Sequence, residues 1–111
     1  MKKLITTLKA ISDPIRLRII YLLYYQDLCV CEIVDCLKLH QSTVSRHLTI
    51  LKNSGLIEDT KQGQWVFYSL NSEKGKDNFI DVLIENELKT NTYFQTDLDN
   101  LKIRLQNGRG C

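Results

Sequence analysis

The side chains best suited to chemistry in this chain are its thiols. Four cysteines occur, at positions 29, 31, 36 and 111. In a secreted protein such a set would be read as a disulfide framework. No secretory segment supports that reading, because the apolar stretch within residues 1–14 is broken by Thr6, Thr7 and Lys9. Clustered thiols in a reducing compartment bind a metal or another soft ion, or act as redox groups. Cys29 and Cys31 flank a single residue, so an extended backbone points both sulfurs to one side. A helix starting beside them would favour thiolate through its unpaired N–H groups. Cys36 lies five positions past Cys31, about 140° around a helix axis and roughly 7.5 Å along it. That geometry makes Cys36 a small buried residue unless the helix is distorted, and Cys111 a thiol on a frayed tail. Either is a candidate third ligand beside Cys29 and Cys31. Glu32 and Asp35 read as solvated charges. Of the two histidines, His40 reads as a solvent-facing turn residue and His47 as a DNA contact or a support of the helix that carries it.

A second set of residues suits recognition. In residues 41–56, Val44, Leu48 and Leu51 recur at near-helical spacing, with Ile50 beside them. Gln41, Ser42, Thr43, Ser45, Arg46, His47 and Lys52 lie largely off that stripe. Ser42 is placed to cap the start and Gly55 to end the helix in a left-handed turn. A helix buried on one side and presenting hydroxyls, amides and an arginine on the other suits a DNA major groove. An ordinary solvated surface helix would show the same face, so the flanking elements decide.

Those elements follow from periodicity. Residues 2–11 form an amphipathic helix through Leu4, Ile5, Leu8 and Ile11. Asp13 caps the next helix, Pro14 suits its first turn, and its apolar residues to about Tyr25 put it at the centre of the core. Arg16 and Arg18 are expected to reach outward, toward phosphate or water. A third helix covers 29–37, and 38–40 is a tight connection without glycine, giving helix-turn-helix spacing. Two short runs, 56–61 and 64–70, meet at Gln62-Gly63, and Trp65, Val66, Phe67 and Tyr68 are strand formers. Such a hairpin is a wing, with Lys61, Gln62 and Gln64 at or near its tip. Asn71 is placed to cap a last helical region, 73–105, that 90–92 interrupts. Its excess apolar surface is expected to pair with a second copy, alongside the first helix, which would set two reading helices against a palindromic site.

Bulk properties agree. The 111 residues suit one domain, residues 1–106, with a flexible tail over 107–111. Net charge is only +2, yet residues 1–70 carry nine Lys/Arg against six Asp/Glu. No apolar run is long enough for a bilayer, so a cytoplasmic location with no membrane partner is expected. No nucleophile, base and orienting group recur at a useful spacing, which argues against an enzyme.

The stretch Asp27-Leu28-Cys29-Val30-Cys31-Glu32-Ile33 resembles the signature of the arsenic/antimony-responsive branch of the ArsR/SmtB family. Gln41-Ser42, Ser45-Arg46-His47-Leu48, Gly55-Leu56 and the run from Lys61 to Leu70 match as well, as does Ser12-Asp13-Pro14-Ile15-Arg16-Leu17. The resemblance covers roughly residues 4–85. It implies a mainly α, winged helix-turn-helix fold with a two-stranded β-hairpin wing, dimeric through its N- and C-terminal helices. It implies a repressor that binds double-stranded operator DNA and releases it when As(III) or Sb(III) binds, with no permanently bound cofactor. The branch often has a third cysteine where this chain has Val34. The terminal helix has no histidine, so the paired-helix zinc site of other branches is not expected. Response to another soft metal ion or to thiol oxidation is the alternative within transcription. A winged-helix protein-interaction module is the alternative outside it.

Overall fold

The computed structural model describes residues 2–71 and 79–108. Helix α1 (Lys2–Ile11) leads into α2 (Pro14–Tyr25), then strand β1 (Leu28–Cys29) and helix α3 (Val30–Leu37). Helix α4 (Gln41–Asn53) follows, then the hairpin of β2 (Ile57–Gln62) and β3 (Trp65–Leu70). Helix α5 (Phe79–Leu83), a π-helical turn (Ile84–Leu88) and helix α6 (Thr92–Gln106) complete the described residues.

Local chemistry sets these boundaries. The Asp13 carboxylate accepts from the Ile15 and Arg16 backbone N–H groups at 2.8 and 3.2 Å, and Pro14 fills the first turn of α2. Helix α2 is apolar on most sides, and Ile19, Ile20, Tyr21 and Leu22 have no exposed surface. Each such side chain contributes roughly 1.5–3 kcal/mol by leaving water. The glycine-free link between α3 and α4 is made by Lys38, which takes the left-handed conformation itself (φ 57°, ψ 42°). Helix α4 begins two residues earlier than the capping pattern suggests. His40 is its N-cap and offers no side-chain bond, so Ser42 does not cap it. Gly55 (φ 82°) ends α4, with its N–H bonded to the Lys52 carbonyl.

The wing has a third strand. β3 pairs antiparallel with β2 on one edge and with β1 on the other, through Leu28 opposite Tyr68 and Cys29 opposite Phe67. The sequence reading places Leu28 in a link and Cys29 inside a helix. Two residues are too short to show alternation, which is why the strand escapes it. Gly63 (φ 63°) opens the two-residue turn between Gln62 and Trp65, as hairpin twist requires.

The terminal region breaks at the place where the sequence reading has residues 90–92 interrupt it. Asn91 accepts from the Tyr93 N–H and starts a separate helix, α6, after the π-helical turn. The expected start near Glu73 and the Cys111 thiol lie outside the described residues. Helix α6 lies on α2 and α3. Its contact with α2 is polar: Arg18 donates to both Asp97 oxygens at 2.8 and 2.9 Å and to the Leu37 carbonyl at 2.9 Å. Arg18 therefore does not reach outward. Asn100 bonds the Cys36 carbonyl and Arg104 bonds Asp35, so 97, 100 and 104 form one helical stripe against α2 and α3. No described helix is long and apolar enough to cross a membrane.

Candidate thiol centre and nucleic-acid interface

The pairing of β1 with β3 leaves Cys29 extended (φ −85°, ψ 167°), and α3 begins at the next residue. The Cys29 and Cys31 sulfurs approach to 3.3 Å. Glu32 is buried rather than solvated, and its carboxylate accepts from the Cys29 backbone N–H at 3.1 Å. This reciprocal cap holds the sulfur-bearing turn in place. Burial pushes the Cys29 thiol above its ordinary range, and the Glu32 carboxylate adds to the rise. The expected thiolate-favouring effect of the helix start is therefore outweighed at this position. Cys29 and Cys36 carry free thiols, whereas Cys31 is disulfide-bonded in this structure.

Cys36 sits in the core, 1% exposed, on the part of α3 that faces α6. Burial pushes its thiol up to about 11. Among the described residues no group of three or more His, Cys, Asp or Glu side chains converges as a metal site. The pair at 29 and 31 instead opens into a cavity of about 250 Å³ lined by Cys29, Val30, Cys31, Gln41, Gln64, Trp65 and Val66. Gln41 is the first residue of α4, and Gln64 lies in the wing turn. The sequence reading separates the thiols from the recognition residues. Two of those recognition residues share a cavity with the thiols.

On α4, Val44, Leu48 and Leu51 are buried, as their spacing requires, while Ile50 is 39% exposed. Gln41, Ser42, Arg46 and Lys52 are exposed and Thr43 and Ser45 half-buried. Lys52 is tied to Asp59 of the wing at 2.9 Å. Lys61, Gln62 and Gln64 are exposed at the wing tip. His47 is different. It is 6% exposed, and Nη1 of Arg16 lies 3.1 Å from its Nδ1. Arg16 also donates to the carbonyls of Lys9 and Ala10, so it staples the end of α1 to α2 and α4 instead of reaching outward. Desolvation lowers the His47 pKa, and the Arg16 and Arg46 charges act in the same direction. His47 thus supports the reading helix from inside. The i, i+3, i+4 pattern 44, 47, 48 could have revealed this, because His47 stands on the apolar stripe.

Comparisons with known proteins agree with this architecture. Residues 13–59 match the profile described as bacterial regulatory protein, arsR family. The chain is 34% identical over 102 residues to an arsenic resistance transcriptional regulator, ArsR2, of Pseudomonas putida, covering 91% of this chain and 86% of that protein. It is 36% identical over 85 residues to the arsenical resistance operon repressor of Staphylococcus xylosus, covering 77% of each. Among solved structures, HlyU from Vibrio cholerae superposes with a TM-score of 0.70 at 36% identity, over 78% of this chain and 94% of that one. The transcriptional repressor PagR of Bacillus anthracis gives 0.66 at 35% identity, over 74% and 93%.

Proposed function

This chain belongs to the arsR family of bacterial regulatory proteins, and we propose that it is a homodimeric operator-binding repressor released when As(III) or Sb(III) binds Cys29 and Cys31. The observation that carries this reading is the shared cavity: the thiol pair, the first residue of α4 and the wing turn line one space. Residues 1–106 act as a single winged helix-turn-helix unit with residues 107–111 as a tail. Gln41, Ser42, Thr43, Ser45 and Arg46 supply contacts from α4. Lys61, Gln62 and Gln64 supply them from the wing, with Lys52 at the margin.

Arsenous acid has three exchangeable hydroxyls. Two reduced thiols give up their protons to two departing hydroxyls, two As–S bonds replace two As–O bonds, and two waters leave. Arsenic stays trivalent throughout. Cys31 must be reduced for this exchange. The third valence keeps a hydroxyl or takes a third thiol, from Cys36, Cys111 or outside the protein. Cys36 would have to leave the core to serve.

Two connections would carry the change to the DNA side. Cys29 is paired with Phe67 of the wing, so a shift of its backbone moves β3. Gln41 and Gln64 line the same cavity as the two sulfurs. Linkage requires DNA to weaken metalloid binding by the same factor, and a 100-fold release corresponds to about 2.7 kcal/mol of coupling. A second copy is supported by apolar surface on both terminal helices: Leu4, Ile5 and Leu8 on α1, and Tyr93, Ile103 and Leu105 on α6, all exposed. The test is an operator gel shift with and without arsenite, on the reduced wild type and on Cys29→Ser and Cys31→Ser. Wild type should release DNA and both variants should stay bound. Unchanged arsenite release in the two variants would refute the reading.

Thiol oxidation is a second reading, favoured by the disulfide state of Cys31 and the 3.3 Å sulfur approach. Release by hydrogen peroxide, without release by arsenite in the reduced protein, would select it.

A further inference from the structure

One guanidinium joins three helices. Arg16 of α2 donates to the Lys9 and Ala10 carbonyls at the end of α1, and its Nη1 stands 3.1 Å from Nδ1 of His47 on α4. Arginine is always charged and only donates, so Nδ1 must accept and the ring must be neutral for this contact to form. A proton on Nδ1 would set N–H against N–H and one cation against another, at a ring that is buried. Asp13, in the link between α1 and α2, attracts that proton, whereas Arg16 and Arg46 oppose it. The Asp13 carboxylate is already engaged as the cap of α2. Among the other elements packed against α4, α1 brings only exposed lysines. The acids of α3, Glu32 and Asp35, are held by Cys29 and Arg104. Those of β2 are Asp59, held by Lys52, and the exposed Glu58. Arg16 also borders a cavity of about 350 Å³ between Ala10 of α1 and Ile50 and Asn53 of α4, so its guanidinium has room to swing away from the ring.

We propose that Arg16 is a positioning residue for DNA binding: it locks the reading helix α4 through the neutral His47 ring, and protonation of His47 opens the lock and loosens the operator. The inference rests on the operator-binding homodimer proposed above. Leu4, Ile5 and Leu8, the exposed apolar face offered to the second copy, stand on the helix whose last carbonyls Arg16 holds. The placement of α4 relative to the second copy therefore passes through this guanidinium. A proton from solvent adds to Nδ1, the imidazolium repels Arg16, and Arg16 moves into the cavity. Linkage then requires the DNA-bound dimer to exclude a proton from each His47, so acid favours the free protein. Charge alone predicts the opposite sign, because a cation gained beside a polyanion tightens binding.

The experiment follows binding of the reduced full chain to a labelled operator duplex by fluorescence anisotropy, from pH 7.5 to 5.0 at constant ionic strength, with far-UV circular dichroism at each pH. Wild-type affinity should fall about 10-fold toward pH 5.0 while the dichroism holds. His47→Gln, whose amide oxygen accepts from Arg16 and does not titrate, should lose that fall. His40→Gln should keep it, because His40 is exposed at the N-cap of the same helix. The same variant assigns the two imidazole resonances of the chain by NMR. Operator DNA should lower the His47 titration midpoint, and Arg16→Met should raise it in the free protein. Affinity that is unchanged or tighter at pH 5.0 overturns the inference. So does a fall that survives in His47→Gln, a His47 midpoint that DNA raises, or a loss of dichroism that tracks the fall. In those cases operator binding at pH 7.5 still stands. If the wild type binds no operator duplex at pH 7.5, the operator reading falls and the lock falls with it.

Discussion

Replacing Asp97 by alanine tests how the terminal helix is held. Asp97 is 2% exposed and takes two hydrogen bonds from Arg18, whose side chain is 17% exposed. Without the carboxylate, Arg18 keeps the Leu37 carbonyl and the Tyr93 ring, whose centroid lies 5.9 Å from its guanidinium carbon. Neither neutralises its charge. Breaking a buried pair from one side costs about 3–5 kcal/mol. Partial access of water to Arg18 points to the lower end, about 3 kcal/mol. With a urea slope of about 1.5 kcal/mol per molar, the midpoint should fall by about 2 M. The assay is urea unfolding followed by far-UV circular dichroism. Arg18→Met combined with Asp97→Leu removes both charges and should recover most of the loss, because two apolar side chains need no partner. A shift under 0.5 M in Asp97→Ala, or a double variant as unstable as the single one, would show that the pair is not desolvated. The reasoning about α6 would then fail.

Further outcomes follow from named side chains. His47 is buried with its folded pKa below the ordinary 6.5, so the unfolded chain takes up its proton first. Its contribution to stability is present above pH 6.5 and is lost as pH falls from there through the folded value; His47→Gln should flatten that part of a urea-midpoint profile between pH 7.5 and 5.5. Arg46→Ala should weaken operator binding by about 1–3 kcal/mol if it reads a base, whereas loss of a phosphate contact at Lys61 should reduce the salt slope of log K by about 0.9, both measurable by fluorescence anisotropy at several salt concentrations. Lys38→Gly should raise stability by about 0.5 kcal/mol, since glycine holds a left-handed cap without the Cβ penalty; thermal unfolding would show a rise of about 2–4 °C. Cys36, with its thiol pushed up to about 11, should resist iodoacetamide at pH 8 in the folded protein and react rapidly in guanidinium, as peptide mass mapping would reveal.

The interior positions of residues such as Ile19, Leu22, Val44, Leu48 and Leu51 were legible because helical burial repeats at a period the sequence carries. Asp13-Pro14 and Gly55 were equally readable, since their side-chain chemistry acts within three residues. The inward-facing arginines escape a local reading for the opposite reason. Arg16 and Arg18 are separated from His47 and Asp97 by 31 and 79 positions, and no local pattern marks those partners. A charged residue is usually solvated, so pattern alone puts Glu32 in water. Its carboxylate is buried and accepts from the Cys29 N–H, a partner that a charge pattern does not mark.

What the sequence determines by itself is what short-range chemistry encodes: the helix-turn-helix spacing, the glycine-opened hairpin and two thiols one residue apart. Tertiary structure decides which of these meet. β1 pairs with β3 because the edge of β3 that β2 leaves open needs hydrogen-bond partners, and that pairing sets Cys29 beside strand residues nearly forty positions away. The cavity joining Cys29 and Cys31 to Gln41, Gln64 and Trp65 exists only once the strand, the hairpin and the start of α4 are packed together. A pair of thiols is therefore readable from spacing, but its wall, which governs what those thiols accept, is a product of packing across the chain.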